Sequence, residues 1–133
     1  CALPISFVDG LYACNPREIE PWSEAIESGK FATCRGFDLN DDDKLRRAVI
    51  MTIMCRFELD KREIEEEFGI KFDEYFAYEM KKLQAYVKHE LAELTADKII
   101  VSPKGKIFVR AVAMQFDRYL RESDRAGGYS KIA

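Results

Sequence analysis

Arg35 lies in a stretch, 35–39, that shows no helical periodicity. A guanidinium presents a planar fork of donors that matches a carboxylate, so an arginine in such a link can bind an acidic group or clamp the link to another part of the protein. Arg46 and Arg47 follow the aspartates of 41–43 at helical spacings, which favours salt links along a helix surface over ligand contacts.

The cysteines and the histidine give no metal site. Cysteines stand at positions 1, 14, 34 and 55, so the chain contains neither CxxC nor CxxxCxxC and predicts no zinc or iron–sulfur ligand set. His89 is the only histidine, and one imidazole without partners does not hold a metal. An even number of cysteines permits disulfides, but the composition is typical of a reduced cytosolic domain. We expect Cys55 to pack as a small apolar residue on a helix face.

The bulk composition predicts one small domain, with or without an extension. Hydrophobic residues make up 47% of the 133 residues and charged residues 34%, enough for a core and a well-solvated surface. The longest apolar run, 48–55, is far shorter than the ~20 residues of a membrane-spanning helix, so we expect no membrane partner. The net charge is −3, and the part after residue 97 is basic. Such a tail usually pairs with acidic surface on the same molecule, and nucleic acid is the alternative partner.

The first third predicts one strand, one helix and an irregular link. The apolar run 2–8 ends at an Asp-Gly turn and suits a strand, with no partner strand evident nearby, as expected for the last strand of a sheet outside this chain. Asn15 and the following proline are predicted to open a helix that ends at Gly29. Residues 35–39 are predicted to be irregular. The apolar stripe of the helix is Ile19, Trp22 and Ile26.

The remainder predicts helices and a hairpin. Aspartates at 41–43 favour a helix start, and the core helix that follows has one wide apolar face. Asp60 is expected to cap a short helix through Glu67 that ends at Gly69, and a longer helix is predicted from Asp73 to about His89. The predicted apolar residues of the core helix are Leu45, Val49, Ile50, Ile53, Met54 and Phe57, and those of the longer helix are Tyr75, Phe76, Met80, Leu83 and Val87.

Two short apolar runs, 99–101 and 107–109, flank a Ser-Pro-Lys-Gly step and predict a β-hairpin. A last helix is predicted over 110–121, followed by a glycine hinge at 127–128. Three helices followed by a hairpin is the winged-helix order. The predicted fold is therefore mainly α with a small β-hairpin, a winged-helix-like helical domain preceded by a lone strand and helix.

The core helix and its continuation carry a recognisable pattern. Residues 46–60 form RRxVIxxxMCxFxLD, and 68–76 follow as FGIKFDEYF. Further stretches in the same order are Ile5-Ser6, 12–16, Arg35-Gly36-Phe37, 105–110, 114–120 and 129–132. Together they resemble the C-terminal region of the oxygen-independent coproporphyrinogen III oxidases, a radical S-adenosylmethionine family, and cover about the last third of such an enzyme.

The resemblance implies a reaction and its cofactors. Coproporphyrinogen III would lose two propionate carboxyl groups to give protoporphyrinogen IX in haem biosynthesis, with a four-iron–four-sulfur cluster and S-adenosylmethionine supplying a radical. The cluster motif lies in the family's catalytic barrel and is missing here, so this chain alone is expected to be inactive and to contain no catalytic or metal-binding residue. The resemblance places Ile5 near a second S-adenosylmethionine and Arg35 near a substrate propionate.

The resemblance also divides the chain and favours a missing partner. Residues 1–39 would be the end of the catalytic barrel and 40–133 a C-terminal winged-helix-like domain that covers the active site. No signal peptide is visible, and although a leading Cys1 could be lipidated, a piece of a longer cytoplasmic protein is the preferred interpretation. The missing N-terminal barrel and coproporphyrinogen III are then the expected partners. Two alternatives stay open: a haem-handling chaperone-type relative and a winged-helix nucleic-acid-binding module.

Overall fold

A computed structural model describes residues 5–123 of the 133-residue chain. The chain divides into two compact units, Cys1–Lys44 and Leu45–Ala133. The glycine hinge predicted at 127–128 lies outside the described residues. Over the described part, the protein is mainly helical with two small antiparallel sheets, which confirms the predicted fold class at that level.

The first unit contains an antiparallel sheet of three strands in the order β1-β2-β3. The expectation that the first strand lacks a neighbour was wrong, because the chain reverses at Asp9 and Gly10, both with positive φ, and the next strand pairs with it. The stretch 35–38, predicted to be irregular, forms the third strand. The elements are β1 (Ile5–Val8), β2 (Leu11–Cys14), α1 (Ile19–Glu27) and β3 (Arg35–Asp38).

Helix α1 starts later than predicted and ends where predicted. Pairing with β3 keeps β2 extended through Cys14, so Asn15 does not cap a helix, and Glu18 occupies the N-cap position without a side-chain hydrogen bond. The helix ends at Glu27 with Ser28 as its C-cap, and Gly29 follows with φ of +72°, a conformation that favours glycine. No residue of α1 is buried.

The second unit is built around the predicted core helix. Asn40 and Asp43 cap its start reciprocally, because Asn40 Oδ1 accepts from Asp43 N at 2.9 Å and Asp43 Oδ2 accepts from Asn40 N at 3.2 Å. The helices are α2 (Asp41–Arg56), α3 (Lys61–Phe68), α4 (Phe72–Tyr75), α5 (Ala77–Lys88), α6 (Val109–Ala113) and α7 (Arg118–Ser123), with 3-10 turns at Lys104–Phe108 and Met114–Phe116. The strands are β4 (Glu58–Asp60), β5 (Ala92–Leu94) and β6 (Lys98–Val101).

The short helix α3 has the predicted ends. Asp60 accepts a hydrogen bond from Arg62 N at 3.0 Å, and Gly69 closes the helix in the left-handed conformation with φ of +65°. The longer helix expected from Asp73 is divided, since Phe76 leaves helical geometry between α4 and α5. Its end near His89 is confirmed.

The core residues predicted on α2 and α5 are confirmed in large part. Val49, Ile53, Phe76 and Leu83 are fully buried. Two expectations were wrong, because Tyr75 and Cys55 are exposed. The buried core consists of Leu45, Val49, Ile53, Leu59, Ile64, Phe72, Phe76, Leu83, Ile99, Val101, Val112, Ala113 and Phe116.

The hairpin is not where the sequence predicted it. Strand β6 pairs with β5 and with β4, giving the order β4-β6-β5, whereas 107–109 is helical. The Ser-Pro step begins a 3-10 turn: Ser102 Oγ donates to Glu90 O at 2.7 Å and accepts from Gly105 N at 3.0 Å. A Cβ on Gly105 would lie 1.9 Å from Leu91 O, so this close approach requires glycine.

The helix predicted over 110–121 is two helices. Asp117 is extended, and its Oδ1 accepts from Tyr119 N at 2.9 Å and Leu120 N at 3.2 Å, which starts α7. Val112, Ala113 and Phe116 are buried. In the part of the chain that is described, no helix has the length and apolar character needed to span a membrane.

Candidate functional site

One row of the first sheet brings together the two residues with predicted ligand contacts. Ile5 pairs with Cys14 on β2, and Cys14 pairs with Arg35 on β3. Residues directly opposite each other on neighbouring strands extend from the same face of a sheet. Ile5 and Arg35 therefore share one face, two strand spacings or about 10 Å apart, although they are 30 positions apart in the chain.

The next row on the same face is aromatic. Phe7 pairs with Tyr12, and Tyr12 pairs with Phe37. The Phe7 and Tyr12 ring centroids are 4.8 Å apart with an angle of 47° between the ring planes, a tilted arrangement that favours ring–ring contact. We call this surface the aromatic face; it consists of Ile5, Phe7, Tyr12, Cys14, Arg35 and Phe37.

The aromatic face is open in this chain. Ile5 is 62% exposed, Phe37 is 47% exposed and Arg35 is exposed, while Tyr12 and Cys14 are partly buried. Aromatic rings offer a large apolar area at low cost in side-chain entropy, and a guanidinium binds carboxylates bidentately. The combination suits a ligand with an apolar body and acidic arms.

Arg46 is not a surface residue. Its Nη1 lies 2.9 Å from Glu79 Oε1 and donates to Phe116 O at 3.0 Å, and its guanidinium lies 5.3 Å from the Phe76 ring centroid. Glu79 is only 3% exposed and also faces Arg121 Nη1 at 3.6 Å. This buried network joins α2, α5 and α7, so its role is to hold the helices together.

A cleft in the second unit is lined only by charged residues. It has a volume of about 200 Å³ and is bordered by Arg56, Glu58, Asp60, Glu63 and Lys98. The side chains pair with one another, Lys98 Nζ with Glu58 Oε1 at 2.5 Å and Arg56 Nη1 with Glu63 Oε2 at 3.2 Å. The hydrogen bond to Glu58 and the charge of that carboxylate raise the pKa of Lys98. These pairs leave little binding capacity for a large apolar ligand.

The donor set for a metal is lacking in the described part of the chain. Over residues 5–123, no group of three or more His, Cys, Asp or Glu side chains is placed to hold a metal ion. His89 lies at the C-terminal end of α5 and is exposed. These residues therefore do not fit the ligand set of an iron–sulfur cluster.

Ile5 and Arg35 were predicted as site residues from the sequence, whereas the aromatic residues beside them were not. The available signal was the Asp-Gly turn at 9–10 between two short runs with apolar residues, which is typical of a β-hairpin. Pairing across that turn places Phe7 opposite Tyr12. The third strand gave no signal strong enough to predict, because Arg35 to Asp38 contains a glycine and two charges.

Comparison with known proteins identifies the family. The family model described as the HemN C-terminal domain matches residues 39–108, which is more than half of the chain. The chain belongs to the HemN C-terminal domain family. The match lies mainly in the second unit and leaves the aromatic face outside it.

Curated relatives of this HemN family extend over most of the chain. The oxygen-independent coproporphyrinogen III oxidase of Pseudomonas aeruginosa is 39% identical over 121 residues, covering 91% of this chain and 26% of that protein. The enzyme of the same name from Escherichia coli is 34% identical over 128 residues, covering 96% of this chain and 28% of that protein. The chain therefore spans about a quarter of the length of the curated relatives it matches.

A solved HemN structure has the same fold over the matching part. The structure described as coproporphyrinogen III oxidase (HemN) from Escherichia coli, a radical SAM enzyme, superposes with a TM-score of 0.83 at 34% identity. The match covers 86% of this chain and 26% of that chain. It supports the mixture of helices and small antiparallel sheets described above.

Proposed function

We propose that this chain is the C-terminal part of an oxygen-independent coproporphyrinogen III oxidase and covers the active site of that enzyme. The names of the relatives support the reaction, in which two propionate side chains of coproporphyrinogen III are oxidatively decarboxylated. The same names favour an oxidase over a haem-handling or nucleic-acid-binding relative. The parent protein would act in porphyrin biosynthesis in the cytoplasm.

The aromatic face is the observation that carries this proposal at the level of residues. Phe7, Tyr12 and Phe37 would bury part of an apolar tetrapyrrole, and Arg35 at the edge of the same face would hold a propionate carboxylate. A substrate carboxylate beside a guanidinium is oriented as well as bound. The chain's contribution would therefore be to position the substrate and exclude water.

The cofactors of the proposed enzyme would be held mainly by the rest of the protein. When bound, S-adenosylmethionine and a four-iron–four-sulfur cluster would supply radical chemistry, and we propose that the cluster ligands belong to the rest of the protein. Ile5 would contact the adenosine part of a second S-adenosylmethionine through its apolar side chain and strand backbone. Its 62% exposure leaves that side chain available.

Replacing Arg35 tests the substrate contact. In the full-length enzyme, Arg35→Ala should lower kcat/KM for coproporphyrinogen III by roughly 10- to 100-fold, because a hydrogen bond to a charged group contributes about 1.5–3 kcal/mol. Arg35→Lys should recover part of the loss, since it keeps the charge but not the bidentate fork. The measurement is an anaerobic decarboxylation assay with the cluster content of each variant determined in parallel.

Arg17→Ala is the matched control for this experiment. Arg17 is an exposed arginine of the same unit that lies between β2 and α1, outside the aromatic face. Its replacement should leave kcat/KM unchanged. Equal kinetics for Arg35→Ala and the parent enzyme would remove Arg35 from the substrate site.

The missing N-terminal barrel of the same protein is the partner that we propose for the first unit. Residues 1–39 would be the end of that barrel, and 40–133 a winged-helix-like domain, supported by the order of β4 between α2 and α3 and of the β5–β6 hairpin after α5. The support for a covered surface is the stripe of α1, where Ile19 is 76% exposed and Ile26 49% exposed. A contiguous apolar stripe of this kind favours burial against another surface.

Trp22, on the same stripe and 44% exposed, reports on this partner. Hydroxyl-radical footprinting should oxidise Trp22 rapidly in the 133-residue chain and several-fold more slowly in the full-length protein. Phe72, which is fully buried, should react slowly in both samples and so calibrates the method. An unchanged Trp22 rate would show that the barrel does not cover α1.

A further inference from the structure

We propose that Cys14 and Cys34 form a reversible dithiol–disulfide pair that a low-molecular-weight disulfide oxidises. Neither the names of the relatives nor the proposed reaction requires such a pair. The inference rests on the backbone contact between the end of β2 and the residue just before β3. It is independent of the proposed decarboxylation.

The two cysteines are neighbours across the strands. Cys34 N donates to Cys14 O at 2.8 Å, while Arg35 is the register partner of Cys14. Two consecutive residues of one strand thus face a single residue of the other, the arrangement found at a β-bulge. Standard bond lengths then limit the separation of the two Cα atoms to about 6.7 Å. This limit lies within the range of roughly 4.4–6.8 Å seen in disulfides.

The two thiols lie at the same end of the sheet. Cys34 Sγ donates to Cys14 O at 3.2 Å, and Cys14 Sγ donates to Asn15 O at 3.4 Å. Both groups are held by weak thiol hydrogen bonds, which rotation about χ1 breaks at little cost. A move between staggered rotamers is therefore the change needed to bring the sulfur atoms together.

Exposure separates this pair from packing cysteines. Cys34 is exposed and Cys14 is partly buried, so an apolar packing role does not account for Cys34. An accessible thiol next to a second thiol is the arrangement in which an initial mixed disulfide is resolved intramolecularly. Cys34 is accordingly the attacking residue and Cys14 the resolving residue.

The chemistry balances with oxidised glutathione as the oxidant. The Cys34 thiolate attacks one sulfur of glutathione disulfide and expels one glutathione thiolate. The Cys14 thiolate then attacks the Cys34 sulfur of the mixed disulfide and expels the second. Two protein thiols are oxidised by two electrons, one glutathione disulfide is reduced to two thiols, and the protons lost by the cysteines are taken up by the leaving thiolates. The new bond closes the 14–34 loop that contains α1.

The test uses the 133-residue chain with Cys1→Ser and Cys55→Ser, because Cys1 and Cys14 lie in one tryptic peptide, 1–17. The protein is equilibrated in a glutathione redox buffer, quenched by alkylation and digested for mass spectrometry. The expected product is peptide 1–17 linked to 31–35, with the intact chain lighter by two hydrogen atoms. The linked form should exceed glutathione mixed disulfides by at least about tenfold, since the second thiol acts at a high effective concentration.

Two controls make the outcome decisive. In the first, Cys14→Ser in the same background should accumulate the Cys34–glutathione mixed disulfide. In the second, the chain that keeps both cysteines is oxidised in concentrated urea, where the ratio of internal disulfide to mixed disulfide should fall several-fold. Thiols that stay free, or mixed disulfides that dominate in the native protein, would overturn the pair. So would an internal bond that forms equally well in urea, because the folded contact would then contribute nothing.

Discussion

The two units differ in what happens to their apolar side chains. In Leu45–Ala133, the rings of Phe72, Phe76 and Phe116 are fully buried against one another. In Cys1–Lys44, Phe31 is 94% exposed and Ile19 is 76% exposed. The second unit therefore carries its own core, whereas the first presents apolar surface of the kind that another surface normally covers.

One charged residue from each unit illustrates the difference. In the second unit, Lys61 is 4% exposed and its Nζ lies 2.8 Å from Asp73 Oδ1, with further bonds to the carbonyls of Thr95 and Ala96. Arg35 in the first unit is exposed on an aromatic face. A buried charge whose hydrogen bonds are all made within the protein helps to hold the fold together. An exposed arginine beside aromatic rings is available to a ligand.

Loss of a core ring should give the largest effect on stability. Phe76→Ala is expected to lower the free energy of unfolding of the 133-residue chain by about 4 kcal/mol, through lost transfer free energy and the cavity left behind. Ile26→Ala on α1 should change it by less than about 0.5 kcal/mol. Denaturant titration followed by circular dichroism measures both. Similar losses for the two variants would contradict the conclusion that only the second unit carries its own core.

Removal of the buried carboxylate of Glu79 should have the next largest effect. Glu79→Ala leaves Arg46 without its 2.9 Å partner in a buried position, so we expect a loss of about 3 kcal/mol in the free energy of unfolding. The control is Glu74→Ala, because the Glu74 side chain is 73% exposed and pairs with Lys71 at 3.1 Å on the surface. That replacement should cost less than about 1 kcal/mol. Equal losses of unfolding free energy for the two variants would show that the Arg46 network does not hold the helices together.

The surface pair of Lys98 and Glu58 should give the smallest effect, one that is present at neutral pH and lost only at alkaline pH. The pKa of Lys98 is raised in the folded protein by the hydrogen bond and the charge of Glu58. Its contribution is therefore fully present below the unfolded-state pKa of about 10.4 and is lost as the pH rises through the higher folded-state value. The stability difference between the parent chain and Glu58→Gln should be constant from pH 7 to 9 and shrink above pH 10.5. A difference that changes between pH 7 and 9 would assign the effect to another group.

Much of the structure after residue 39 was predictable because its signals are local. The aspartates and Asn40 at the start of α2, the Asp60 cap and the left-handed Gly69 each act within one turn of helix. The apolar period of α2 also identified Val49 and Ile53 as core residues. These features depend on neighbours three or four positions apart, which the sequence displays directly.

The predictions from sequence were wrong mainly where contacts between residues far apart in the chain determine the structure. Residues 107–109 have strand-like composition, but β6 already has partners on both sides in β4 and β5. The Ser-Pro step at 102–103 was interpreted as a turn, although serine before proline also begins a helix. Tyr75 and Cys55 follow the apolar pattern of their helices closely, yet both lie on exposed surface. Apolar periodicity therefore predicts which side of a helix faces the core, but not whether a residue at the edge of that side is covered.

The family pattern, several helix ends and the candidate residues Ile5 and Arg35 could all be read from the sequence. The tertiary structure alone decided that these two residues share a row of one sheet, with Phe7, Tyr12 and Phe37 in the next row. The physical reason is that helix signals repeat within a few residues, whereas strand pairing joins residues far apart in the chain. The pairing that adds β3, and with it Arg35 and Phe37, to the local β1–β2 hairpin is therefore absent from any local stretch of the sequence.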